Sequence, residues 1–313
     1  VNTLSAGDRV LMCETGHFAR LWCGIAERLG LDPQLLPGDW RHPADPLAIG
    51  EALANDVDHL IKAVCVVHNE TSTGAMSDVA AVRAVIDEQR HPALLMVDTI
   101  SSLASIDFRH DEWGVDVTVG GSQKGLMLPP GLGFNAVSDK ALSASLNATL
   151  PRAYWNWQDM LDANNNGFFP YTPATNLLYG LREALSMLLD EGLENVFERH
   201  RRLAEATRCA VATWQLELLC LDSAARSHSL TAVQLPEGVD ADAFRATVLA
   251  RYNMSLGNGL GRLAGRVFRI GHLGDFNELM LIGTLGGVEM GLAASGITHQ
   301  RGGVTAAMDY LSG

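Results

Sequence analysis

The first half of the chain alternates between short apolar runs and segments whose apolar residues recur three or four positions apart. RVLMC (9–13), IKAVCVVHNE (61–70), ALLMVDTISS (93–102) and VDVTVGGSQK (115–124) are short apolar runs, the last three ending in polar residues, and they predict buried strands. FARLWCGIAERLG (18–30), DPLAIGEALAND (45–56) and DVAAVRAVIDEQR (78–90) carry helical spacing. Gly30 is a stop signal for the first of these, and Ser77 or Asp78 an N-cap for the third. Strand and helix units in this order predict an α/β fold with a mainly parallel central sheet covered on both faces.

The pattern changes after FFPYTPATN (168–176), a turn-rich connector. A long helical stretch (177–214) is broken near Gly192. SLTAVQLP (229–236) and RVFRIGHLG (266–274) predict strands around a helix over 240–253, and ELMLIGTLGGVEMGLAA (278–294) predicts the closing helix. The expected division is a large domain over 1–178 and a smaller α+β domain over 179–313. The run LGNGLGRLAG precedes a strand instead of following one, so it is a turn and not a nucleotide loop.

Polar residues gather where the predicted strands end: His68-Asn69-Glu70-Thr71, Asp98-Thr99 and Ser122-Gln123-Lys124. In open α/β sheets ligands bind outside those ends, so three strands aim chemistry at one edge. Lys124 stands out. It is one of three lysines, and the only charge between Val117 and Ser138. A lysine there either snorkels to the surface, pairs with an acid, or is desolvated. Desolvation favours the neutral amine, a nucleophile that carbonyl cofactors capture as a Schiff base. Asp98 is either a turn residue or an acid for a protonated ring nitrogen, as pyridoxal chemistry needs. Arg269 lies inside the apolar strand VFRIG, where its alternative is a surface ion pair.

The net charge of −13 argues against nucleic acid or an anionic membrane as partner. The composition, 47% hydrophobic and 19% charged, fits a globular enzyme with a substantial core. Five widely spaced cysteines, with no CxxC pair, suggest reduced thiols in the cytoplasm and no metal finger.

Five segments carry a family resemblance: VVHNETSTG, LLMVDTISSLASIDFRHDEWGVD, GGSQKGLMLPPGLGF, PYTPATNLLYGLREAL and VFRIGHLGD. Together they resemble the class V pyridoxal-phosphate aminotransferases, most closely the serine–glyoxylate and alanine–glyoxylate branch, in order and over essentially the whole chain. The resemblance implies a fold-type I transferase that binds pyridoxal 5'-phosphate and moves an amino group from serine or alanine to glyoxylate by a ping-pong route. Lys124 would form the aldimine and shuttle the proton. Asp98 would bind the pyridine nitrogen, with Thr71 near the phenolic oxygen and Gln123 near the phosphate. Ile100 would pack on one ring face and Phe18 on the other. Thr172 would reach a phosphate across a homodimer interface, Arg269 would clamp the substrate carboxylate, and His272 could line the same mouth.

In the family, a glycine-rich phosphate cup lies just upstream of a segment like VNTLSAGD. The resemblance therefore implies that the large domain is N-terminally incomplete here. Two alternatives accompany the transaminase: a cysteine desulfurase-like lyase on the same scaffold, and a remnant that dimerises without holding cofactor.

Overall fold

A computed structural model describes all of residues 1–313. The first half runs β1 (Arg9–Cys13), α1 (His17–Arg28), β2 (Asp32–Leu36), α2 (Pro46–Asn55) and β3 (Ile61–Val67). A small hairpin, β4 (Asn69–Glu70) and β5 (Ala75–Met76), leads into α3 (Val79–Glu88), β6 (Leu94–Asp98), β7 (Val117–Gly121) and β8 (Gly133–Val137). Helices α4 (Asp139–Ser145) and α5 (Trp157–Asn164) complete it. The sheet order is β2-β1-β3-β6-β7-β8, parallel except for the β8 edge.

Alternate residues of the central strands feed opposite layers, because side chains in a strand point to alternating faces. Leu11, Val64, Val66, Leu95 and Val97 pack with Ile49 of α2 and Val82 of α3. Val10, Met12, Cys65 and Met96 pack with Cys23 and Ala26 of α1. This double burial explains why these strands read as continuous apolar runs. Asp78 caps α3 as expected, accepting from Ala81 N–H at 2.9 Å.

The second half contains α6 (Thr175–Glu191), α7 (Leu193–Thr213), β9 (Glu217–Leu218), β10 (Leu230–Gln234), α8 (Ala241–Tyr252), β11 (Gly257–Asn258), β12 (Val267–Gly271), α9 (Glu278–Ala294) and α10 (Gly303–Ser312). Gly192, at φ +85°, breaks α6 from α7. An antiparallel sheet ordered β11-β12-β10-β9 packs on these helices around Trp214, Phe244 and Phe268. The helix over 278–294 does not close the chain: α10 follows it after the loop at Gly296–Gly302, and the run 257–265 supplies β11 and a turn.

Candidate active site

Strand β6 ends at Asp98, and the chain turns at once. Ile100 N–H donates to Asp98 Oδ1 at 2.8 Å, the only hydrogen bond made by that carboxylate. His68 N–H donates to the Asp98 carbonyl at 2.9 Å, carrying the β3–β6 ladder one step further. Burial pushes the Asp98 carboxyl up to about 6; the Ile100 amide pulls against this, and the charge of Glu70 adds to it. A half-buried acid with one uncommitted oxygen is poised to take a cationic partner.

Strand β7 delivers Lys124 beside this turn. Ser122 organises the loop, donating to the Pro129 carbonyl at 2.8 Å and accepting from Leu132 N–H at 3.2 Å. Gly125 lets the two turns touch. A Cβ there would stand 2.2 Å from the Leu103 carbonyl oxygen and 2.4 Å from Ser105 Oγ, so only glycine fits directly after Lys124. The Lys124 side chain is half-buried and makes no hydrogen bond or ion pair. Its amine is held below the usual lysine range, by burial first and then by the nearby charge of Arg269. Ile100 and Gln123 both border Gly121, whose added Cβ would meet Ile100 Cδ1 at 3.1 Å and Gln123 Oε1 at 3.0 Å. Gln123 itself is exposed.

Arg269 comes from the second sheet, paired with Ala232 of β10. Its Nε donates to the Asn258 carbonyl at 2.8 Å and its Nη1 to the Thr71 carbonyl at 3.0 Å. It forms no ion pair. Burial and the charge of Arg245 lower its pKa, while Glu70 raises it. Thr71 also donates to Ser101 Oγ at 2.7 Å, which ties it to the turn after Asp98.

Two neighbours of Thr71 were not singled out from the sequence. Glu70 is completely buried; its oxygens accept from the amides of Phe18 (3.3 Å), Ala19 (3.1 Å) and Ser72 (3.2 Å), and from Ser72 Oγ at 2.6 Å. A carboxylate at the start of α1 satisfies amides that the helix leaves unpaired. It also fixes Phe18, half-buried at that helix start, to the β3 exit. Asn69 donates to Ser101 Oγ at 2.8 Å and to Ser229 Oγ at 2.9 Å, joining the two sheets. Their position in the run HNETSTG, at a strand's end, was the only available signal.

The structure thus gathers Asp98, Ile100, Thr71, Gln123, Lys124 and Arg269 around the exits of β3, β6 and β7, with Phe18 tied in through Glu70. Thr172 is not part of that group. It lies exposed in the 165–174 connector, in the wall of a different hollow with Trp22, Val119 and Asn135. His272 does not line the mouth. It is fully buried between Thr231 Oγ1 (3.0 Å) and the His228 carbonyl (3.1 Å), because the strand's alternation turns it inward beyond Gly271.

Residues 1–262 match the family model for aminotransferase class V. The chain belongs to this family. It is 51% identical over 316 residues to a serine–glyoxylate aminotransferase of Methylorubrum extorquens, covering 99% of this chain and 79% of that relative. It is 44% identical to an L-aspartate–glyoxylate aminotransferase of Paracoccus denitrificans, covering 99% of this chain and 78% of the relative. The crystal structure of ureidoglycine–glyoxylate aminotransferase from Bacillus subtilis superposes with a TM-score of 0.91 at 29% identity, covering 100% of this chain and 80% of that one.

The class V aminotransferases use pyridoxal phosphate, and the fold-type I architecture expected from the sequence is the one observed. The donor set fits that group. An amine without a partner, a half-buried acid with a spare oxygen and a guanidinium without an ion pair are what an aldehyde, a ring nitrogen and an amino-acid carboxylate require.

Proposed function

We propose that this class V aminotransferase moves the amino group of serine to glyoxylate. The observation that carries the reading is Arg269, a guanidinium without an acid partner whose charge is felt at the Lys124 amine. A carboxylate taken by Arg269 brings the substrate's Cα beside that amine. Similarity to the serine–glyoxylate enzyme supports serine and glyoxylate as the pair, and similarity to the L-aspartate–glyoxylate enzyme makes aspartate the donor to compare.

When bound, pyridoxal phosphate supplies an electron sink for the charge left on Cα. In this proposal Lys124 would hold the cofactor's aldehyde, and its Nζ would take and return the substrate's Cα proton. General base catalysis of this kind contributes about 10²–10⁴-fold. Asp98 would hold the ring nitrogen in its protonated form. Thr71 would hold the phenolic oxygen and Gln123 the phosphate, and Ile100 and Phe18 would pack on the ring. Arg269 orients the substrate. In a homodimer Thr172 would hold the phosphate bound by the partner subunit. We assign the cofactor-binding domain to residues 1–178 and the smaller domain, which brings Arg269, to 179–313. Five free cysteines support a cytoplasmic location, and no helix is long and apolar enough to cross a membrane.

A desulfurase-type lyase needs a reactive thiolate. Burial raises the pKa of all five cysteines, with Cys220 pushed to about 11 and Cys13 and Cys65 to about 12. This favours the transaminase.

The test is glycine formation from glyoxylate with serine, alanine or aspartate as donor, after loading with pyridoxal phosphate and gel filtration. Retained cofactor absorbance and the highest kcat/KM with serine are expected. Retained cofactor with no transfer from any donor would refute the transaminase, and loss of all cofactor would support the remnant.

A further inference from the structure

His68 borders a separate hollow of about 770 Å3, to which Lys124, Asp98 and Arg269 contribute nothing. The hollow lies between the exit of β3 and helix α7. Met76, Ile106, Trp113 and Phe197 give it apolar and aromatic walls. The imidazole of His68 is 3% exposed and packs against Phe108 and Trp113, with centroids 5.3 and 6.0 Å away. Its Nδ1 is buried with no hydrogen-bond partner. An unpaired buried polar atom costs about 1–3 kcal/mol, so such a ring calls for an explanation.

Charge selects the ligand. Five carboxylates line the hollow; Asp107 is paired with Arg109 outside it at 2.9 Å, and Glu198 holds Arg201, the one guanidinium of the lining, at 2.6 and 2.7 Å. Burial lowers His68 and His228 to about 4, so both are neutral near pH 7 and offer no counter-charge. Glu194 is exposed at the start of α7 and makes no ion pair; the Asp222 carboxylate caps only the amide of Ala224 at 3.0 Å.

We propose that this hollow is a second ligand site, for a small organic cation with a flat apolar body. Trp113 and Phe197 take the body, His68 completes the wall, and Glu194 and Asp222 face the charge. Aromatic faces and carboxylates favour the same ligand, since both attract a cation. The site reaches the catalytic edge through one residue. The backbone of His68 donates to the Asp98 carbonyl at 2.9 Å and accepts from Ser77 N–H at 2.8 Å, and Ser77 lines the hollow too.

Benzyltrimethylammonium is a suitable probe, because a quaternary amine cannot condense with the cofactor's aldehyde. Isothermal titration calorimetry should show saturable one-to-one binding, with benzyl alcohol binding about tenfold more weakly. Glu194→Lys should weaken the cation about tenfold, and Arg201→Gln should strengthen it severalfold. Both positions are exposed, and neither belongs to the transamination machinery. Phe197→Ala should weaken cation and alcohol alike. No saturable heat, or equal affinity in Glu194→Lys and Arg201→Gln, overturns the proposal. Because binding is read without turnover, its failure leaves the transaminase reading untouched.

Discussion

Arg269 Nη1 donates to the backbone carbonyl of Thr71 at 3.0 Å, so the second sheet grips the first at the edge where its strands end. A guanidinium has five N–H donors. Two are spent on the Thr71 and Asn258 carbonyls, and the others remain for a carboxylate. Lysine cannot reproduce that geometry, because a single ammonium has no planar fork. Arg269→Lys should raise KM for the amino donor about 10–100-fold, from the loss of about 1.5–3 kcal/mol of charged hydrogen bonding. Steady-state kinetics at varied donor checks this. An unchanged KM would remove Arg269 from the substrate site.

Lys124 has no second amine nearby to replace it, since the other lysines are Lys62, bonded to the His59 carbonyl, and Lys140, bonded to the Ala93 carbonyl. Lys124→Ala should cut transamination by at least about 10³-fold, and the protein should no longer retain cofactor absorbance after borohydride treatment and denaturation. Added methylamine should restore part of the rate. Persistent covalent labelling in the variant would point to another amine.

Asp98 predicts opposite effects with and without cofactor. Its folded pKa is raised from 3.8 to about 6. The folded chain therefore binds more protons than the unfolded chain between these values, and stability falls as pH rises through them. Two pKa units correspond to about 3 kcal/mol, an upper bound for the penalty at pH 7. Asp98→Asn keeps an acceptor for Ile100 N–H but removes the charge. The cofactor-free variant should be more stable than the parent above pH 6, with the difference vanishing below pH 4. Loaded, it should bind cofactor more weakly and turn over far more slowly. Urea denaturation at pH 4, 6 and 7.5 tests the first half. A cofactor-free variant less stable at pH 7.5 would contradict it.

Asp98, Lys124 and Arg269 stood out because an ionisable residue beside an apolar strand is conspicuous in one dimension. So did the central strands, whose double burial writes continuous apolar runs. Strand β2, DPQLL, was not legible: it contains Pro33 and is only half-covered, as an edge strand allows. Strand β8, GFNAV, is exposed and antiparallel at the other edge, so it lacks that signal as well. Glu70 and Asn69 depend on partners 51 and 160 positions away, and local spacing carries no trace of such partners. His272 misled because it follows the strand that carries Arg269, yet the chain buries it on the other side.

Gly125 should be intolerant of the smallest side chain. A methyl group there would press on the Leu103 carbonyl at 2.2 Å, and backbone cannot swing aside as a flexible side chain can. Gly125→Ala should therefore displace the Lys124 turn from the turn after Asp98, at a cost of about 1–3 kcal/mol. The amine and the acid would then serve the cofactor from mismatched positions, so retention of cofactor should fall along with thermal stability. Gly133 is the control: it lies in the neighbouring strand β8, and no atom stands within 4 Å of an added Cβ. Gly133→Ala should leave both measurements near the parent's. If Gly125→Ala retained cofactor as well as that control does, contact between the two turns would not be what sets the lysine against the acid.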